Sequence, residues 1–149
     1  MKTRGFEVAK GFDSSLVTMP LRKTVYSAGY DISALGDYII QAGQMIKVNT
    51  GLKAYMLPDE FLGIHIRSSI AIKHNVILMN AQGIIDCDYY SNPDNDGHII
   101  IALMNLSSQE FIIKHGERIA QGIFYKYLTI DDEELPTEQR TSGTGSTGK

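Results

Sequence analysis

Two aspartates one residue apart, Asp86 and Asp88, close the apolar segment Gly83-Ile84-Ile85 and lead into Tyr89. A carboxylate at the end of an apolar stretch is expected to be half-buried, and burial raises its basicity. If the strand continues past Asp86, then Asp88 shares its face. Such a pair could hold a metal, or divide into one base and one structural partner; a solvated turn fits the same residues. Upstream, Arg67-Ser68-Ser69 joins a planar guanidinium fork to two hydroxyls and their backbone N–H groups, donors that suit phosphate oxygens. If Ser68 opens a short helix, the helix N-terminus adds an anion site; an ordinary Ser N-cap beside a surface Arg reads the same way. Downstream lie Gly116-Glu117-Arg118-Ile119-Ala120-Gln121 and then Arg140, followed by Thr141–Gly148, built only of Gly, Ser and Thr. Glycine-rich backbone with hydroxyls can wrap a phosphate chain, and no Walker A loop is present. Such a tail has too little apolar surface to order itself alone, so a floppy terminus has the same composition.

The elements that must position these groups belong to one domain, given 149 residues and a domain size of about 100–200. A 43% hydrophobic and 21% charged chain is globular. The longest apolar run, Ile99 to Met104, is six residues, where a membrane span needs about 20. The opening MKTRGFEVAKG carries basic residues with no apolar stretch behind them, so no secretory signal is expected. One cysteine cannot form an intramolecular disulfide, which suits a cytoplasmic protein. Residues 1–128 hold 12 acidic and 12 basic side chains, and residues 129–149 hold 5 acidic and 2 basic. A neutral body with an acidic tail offers no basic footprint for nucleic acid. A polyanionic ligand must therefore be held by local groups.

The apolar pattern favours strands. Ile64 and Ile66 alternate with Gly63, His65 and Arg67, a period of two. Gln44–Met56 surrounds the turn signal Asn49-Thr50-Gly51, and Asn75–Met79, Ile99–Met104, Glu110–Ile113 and Ile119–Tyr127 read as further short strands. Turn clusters at Gly36-Asp37, Pro58-Asp59, Ser91–Gly97 and His115-Gly116 separate them. Short strands at this spacing predict an all-β sandwich or barrel with at most one short helix, around Ser68–His74, and a flexible C-terminal tail.

Taken in order, Ala28-Gly29-Tyr30-Asp31-Ile32, Arg67-Ser68-Ser69, Asn80–Tyr89, Gly116–Gln121 and Arg140–Gly148 resemble the five motifs of the homotrimeric dUTPase family. The resemblance implies an all-β, distorted jelly-roll-like barrel over residues 1–128. It also implies a flexible arm, 129–149, that closes the active site of a neighbouring subunit in a homotrimer. The implied reaction is Mg²⁺-dependent hydrolysis of dUTP to dUMP and diphosphate, which limits uracil in DNA and supplies dUMP for thymidylate synthesis. Carried over by motif, Asp86 would be the base that activates water for attack at the α-phosphorus. Tyr89 would pack under the deoxyribose and exclude a 2′-hydroxyl. Asn80, with the backbone of Gly83 and Ile85, would read the uracil edge. Asp31 would touch Mg²⁺ through water, and Arg67, Ser68, Ser69, Gln121, Arg140, Ser146 and Thr147 would hold phosphates.

Two features depart from the family pattern. Its tail, R-x-x-x-G-F-G-S-T-G, carries a Phe that stacks on uracil; here the run after Arg140 is one residue shorter and Thr144 stands in that place. The motif Tyr is commonly followed by a short R-G-x turn, whereas Tyr90 here leads into SNPDNDG before His98. That longer loop, with Tyr90, is expected either to supply part of the missing lid or to be a plain surface loop. The related dCTP deaminases need a Glu where this chain has Ala102, and alanine cannot shuttle protons. A binding protein that kept the fold and lost the chemistry is a second class of reading. Intact Asp86, Tyr89 and Arg140 argue against it and leave room for an additional protein partner. The four histidines and Cys87 lack metal-ligand spacing, and Arg118 is expected to make a structural ion pair.

Overall fold

A computed structural model describes residues 1–143. Twelve strands carry the described chain: β1 (Gly5–Val8), β2 (Leu21–Arg22), β3 (Tyr30–Ser33), β4 (Tyr38–Ile40), β5 (Met45–Asn49), β6 (Leu52–Tyr55), β7 (Glu60–Ile66), β8 (Val76–Leu78), β9 (Gly83–Asp86), β10 (Ile100–Asn105), β11 (Phe111–Ile113) and β12 (Arg118–Lys126). One α-helix, α1 (Ser68–His74), and a 3₁₀ turn, Cys87–Tyr89, complete the described elements. The strands form antiparallel sheets in the orders β2-β3-β12-β7-β9, β5-β10-β8, β1-β6 and β4-β11, the all-β architecture expected from the turn spacing and the jelly-roll-like form implied by the family resemblance. Among the described residues no helix is long and apolar enough to cross a membrane.

The apolar run at Ile99–Met104 shows how the sheet divides its labour. Along β10 the burial alternates, as a period of two demands. Ile101 and Leu103 point into the core with Ile32, Leu62 and Ile64, while Ile100 remains 42% exposed. The turn signal at Asn49-Thr50-Gly51 separates β5 from β6 but does not make a hairpin, because β5 pairs with β10 and β6 with β1. The physical reason lies in the corner itself. Buried Thr50 donates its hydroxyl to the Ile99 carbonyl at 2.6 Å, and Gly51 turns at φ +72° with Val17 2.5 Å from where a Cβ would stand. The chain is thus pinned across the barrel instead of folding back.

The helix starts one residue earlier in its capping than a Ser N-cap would require. Arg67 occupies the cap position in extended conformation, without a side-chain cap bond, and Ser68 is the first helical residue. The helix ends where Asn75 turns left-handed at φ 54° and donates its N–H to the Ala71 carbonyl.

Candidate active site

Where β8, β9 and β10 meet, the sheet leaves a cavity of about 210 Å³, lined by Asn80, Gly83, Ile85, Asp86, Tyr89 and Arg140 among the residues singled out by sequence. Ile64, Leu78 and Ile101 give it an apolar side, and Ala102 forms wall where a deaminase would need its carboxylate. The volume is below the ~300–1,000 Å³ of a typical small-molecule cleft. Gly83 is required by packing: a Cβ there would lie 2.9 Å from the Cβ of Ile64, its register partner on β7.

Strand β9 ends at Asp86, and the 3₁₀ turn follows. Asp88 therefore does not continue the face of Asp86, contrary to the extended-strand expectation. Both carboxylates nevertheless converge on one cation. Arg140 places Nη2 2.7 Å from Asp86 Oδ2 and Nε 2.8 Å from Asp88 Oδ1. Asp86 stays 50% exposed, so the guanidinium, and not apolar burial, is the dominant feature of its surroundings. The hydrogen bond to Asp88 raises the Arg140 pKa, against the cost of its partial burial. The Arg140 guanidinium also lies 6.0 Å from the Tyr89 ring centroid, and the Asp94 N–H donates to the Thr141 carbonyl at 3.2 Å. Residues 140–143 thus rest on their own chain's Asp86 and Tyr89. Ser146 and Thr147, expected to bind phosphate, and Thr144 lie outside the described residues.

Tyr89 is held at both ends. Its hydroxyl donates to the His98 carbonyl at 2.6 Å and accepts from the Asn95 amide at 2.8 Å. Its backbone carbonyl accepts from Asn92 Nδ2 at 2.8 Å. Burial pushes the phenol's pKa up, so it stays a neutral hydrogen-bonding group. Sequence reading took Ser91–Gly97 for a lid or a plain loop and passed over Asn92 and Asn95. The available signal was the Asn/Asp content of SNPDNDG, since such side chains build local turns.

Tyr90, expected as part of a lid, stands beside the cavity in the free chain. It does not line the cavity; its hydroxyl donates to Glu7 at 2.6 Å, and Lys53 sits 4.6 Å over its ring. Tyr90 follows the 3₁₀ turn that ends at Tyr89, and its contacts with Glu7 and Lys53 hold it on β1 and β6. Burial, and then Asp88 and Asp86, push the Cys87 thiol pKa up, which disfavours the thiolate.

The remaining predicted residues gather elsewhere. Asp31 on β3 faces Gln121 on β12, which faces His65 on β7. Arg67 follows β7, its Nε 3.9 Å from Asp31 and its Nη1 donating to the Arg118 carbonyl at 3.3 Å. Arg118 makes its expected ion pair, 3.1 Å from Asp31. A Cβ at Gly29 would collide with the Gln121 carboxamide, so the motif glycine gives that side chain its place. Asp86, by contrast, pairs with Phe61 at the other end of β7. Phe61 and His65 are four steps apart along the strand, roughly 13 Å. Among the described residues no group of three or more His, Cys, Asp and Glu side chains could hold a metal. Asp31 is the carboxylate of this cluster, held by Arg118 and Arg67, and a single carboxylate of this kind would suit a Mg²⁺ ion that keeps most of its waters.

Comparison with known proteins agrees with this geometry. The family model described as dUTPase matches residues 16–148. The chain is 44% identical to the deoxyuridine 5′-triphosphate nucleotidohydrolase of Lactococcus lactis over 99% of both chains. It is 39% identical to that of Rickettsia massiliae over 88% of both. The crystal structure of the dUTPase from Streptococcus mutans superposes with a TM-score of 0.80 at 40% identity, covering 85% of this chain and 98% of that one. The dUTPase from phage phi11 of S. aureus shares the fold at 16% identity and a TM-score of 0.75. The chain belongs to the dUTPase family.

Proposed function

We propose that the chain hydrolyses dUTP to dUMP and diphosphate, taking the nucleotide as its Mg²⁺ complex. The observation that carries this reading is the cavity itself, which unites Asn80, Gly83, Ile85, Asp86 and Tyr89 in a chain with full-length relatives of that activity. Uracil enters against the Gly83–Ile85 backbone and Asn80, and the deoxyribose packs on Tyr89. Asp86 takes a proton from the water that attacks the α-phosphorus, and diphosphate leaves. Bound Mg²⁺ supplies charge neutralisation on the phosphates, with Asp31 as its contact through water. Arg67, Ser68, Ser69, Gln121 and Arg140 donate to phosphate oxygens as charge develops there. Arg140 must leave Asp86 for this to happen, and the triphosphate's negative charge supplies the competing partner. Ser146 and Thr147 extend the same donor set in the tail.

A homotrimer with interfacial sites is part of the proposal. Roughly 13 Å along β7 separates the Asp86 end from the Gln121 end, too far for both to act on one α-phosphate within a single chain. A second copy brings its phosphate cluster to the first copy's cavity. Exposed Ile77, Met79, Ile84 and Ile100 form the kind of apolar surface that an interface covers. The arm then crosses to a neighbour, and the contact with its own Asp86 and Tyr89 marks the surface that a neighbour's arm takes by exchange. The enzyme acts in the cytoplasm, without nucleic acid or membrane as partner.

The test is diphosphate release from dUTP, dCTP, dTTP and UTP with Mg²⁺, repeated after chelation. Cleavage confined largely to dUTP, lost on chelation and restored by Mg²⁺, is expected. A folded protein that releases no diphosphate from dUTP contradicts the reading.

A further inference from the structure

We infer that Asn95, in the loop that follows the Tyr89 motif, is a positioning residue that sets discrimination between deoxyribose and ribose by holding the Tyr89 ring rigid. This rests on the proposed role of Tyr89 against the sugar. A wall that must refuse one extra hydroxyl is effective only if it cannot tilt, because pockets that merely touch an added hydroxyl reject it weakly. The Tyr89 hydroxyl spends its single proton on the His98 carbonyl, 2.6 Å away. Its lone pair receives the Asn95 amide at 2.8 Å.

The orientation of that amide is fixed by its other end. Asn95 Oδ1 accepts from Asn92 Nδ2 at 2.7 Å and from the Gly97 N–H at 3.1 Å, so both acceptor contacts face donors and Nδ2 is left for Tyr89. Asn92 is 4% exposed. Its Oδ1 accepts the N–H groups of Asp94 and Asn95 at 3.1 Å each, and its Nδ2 also reaches the Tyr89 carbonyl. The loop closes tightly over this network: a Cβ at Gly97 would stand 2.8 Å from that same carbonyl. It is anchored to the barrel through Asp96, which meets Lys53 at 2.9 Å and the Lys10 N–H at 2.8 Å. Asn95 itself lines the cavity. The network thus ties both the ring tip and the backbone of Tyr89 to one rigid loop, and a pinned ring leaves no space for a 2′-hydroxyl.

The test compares kcat/KM for dUTP and UTP in the wild type, Asn95→Ala, Tyr89→Phe and the double variant, with thermal midpoints alongside. Loss of one hydrogen bond predicts that the dUTP:UTP ratio falls about fivefold in Asn95→Ala, mainly through better use of UTP. Tyr89→Phe, which removes the hydroxyl with both its His98 and Asn95 bonds and leaves the Asn92–Asn95–Gly97 contacts in place, is expected to lower the ratio at least as much. Adding Asn95→Ala to Tyr89→Phe lowers it no further. An unchanged ratio in folded Asn95→Ala, or additive effects, overturns the proposal. Should Asn95→Ala fail to fold, Tyr89→Phe decides, since an unaltered ratio there removes the basis for the clamp. A wild type that cleaves neither nucleotide contradicts the dUTP reading itself, which is a different result from a ratio that does not move.

Discussion

Arg140 and Asp86 form an ion pair of 2.7 Å across the mouth of the cavity, with Asp88 on the other side of the same guanidinium at 2.8 Å. The group proposed to deprotonate water is therefore covered, in the free chain, by the cation proposed to serve the phosphates. This contact, with the Asp94 N–H to Thr141 carbonyl bond, seats the chain at Arg140 and is expected to protect the peptide bond after it. Replacing Asp88 by Asn removes one of the two charges. Trypsin cleavage after Arg140 in the ligand-free protein is expected to quicken about twofold to fivefold, the scale of a partly exposed ion pair. Mass spectrometry of the clipped chain measures it, and an unchanged rate contradicts the docked arm.

His98 gives the fold a sensitivity to mild acid. Burial lowers its pKa from 6.5 to about 4, and its Nε2 accepts the Gly51 N–H at 3.0 Å, a bond that requires the neutral ring. Because the folded-state pKa lies below the unfolded one, the unfolded chain binds more protons between these values. Stability is fully present above about pH 6.5 and falls as the pH drops toward 4, by about 3 kcal/mol over the window. Chemical denaturation at pH 7, 5.5 and 4.5 should show this slope. His98→Gln should be less stable at pH 7 and visibly flatter across the same range.

Gly83 is a packing requirement at the cavity floor. In Gly83→Ala the new methyl meets Ile64 on the neighbouring strand, and β9 must move away from β7. A loss of about 1–3 kcal/mol in stability is expected, together with weaker dUTP binding if the displaced backbone meets the base as proposed. Retention of both wild-type stability and KM would show that β9 yields without consequence.

Much of this was legible from residue types. The period-two alternation and turn clusters located β5 to β8 and β10 to β12, while the short β1 to β4 carried too little alternation to be read, and α1 occupies the predicted Ser68–His74. The motif Asn80–Tyr89 supplies most of the residues singled out by sequence that line the cavity, while Arg67 and Gln121 lie at the other end of β7. Other features depended on contacts between distant segments. That Asp86 and Asp88 would share Arg140 needed the 3₁₀ turn at Cys87–Tyr89, which no alternation signals. The partners of Tyr90 and Asn95 were not legible, because a loop's side chains choose sides through contacts with distant segments, here Glu7 for Tyr90 and Tyr89 for Asn95. His98 looked like an ordinary strand or loop histidine, yet it is 6% exposed under Phe12, 4.3 Å between ring centres.

The division of the site along β7 predicts complementation. An Asp86→Asn chain keeps its phosphate cluster, and an Arg67→Ala chain keeps its carboxylate. Co-refolded together, they should form mixed trimers in which some sites regain both halves, with activity above the sum of the separate variants. No gain would indicate that both groups act within one chain.

The central claim is that Asp86 is the base of a dUTP-hydrolysing site. The most direct measurement is single-turnover cleavage of Mg·dUTP by Asp86→Asn at saturating protein, with nucleotide binding followed in parallel. Binding retained within a few-fold and a chemical step slowed about 10²–10⁴-fold is the predicted result for loss of a general base. A chemical step that proceeds at the wild-type rate would contradict it.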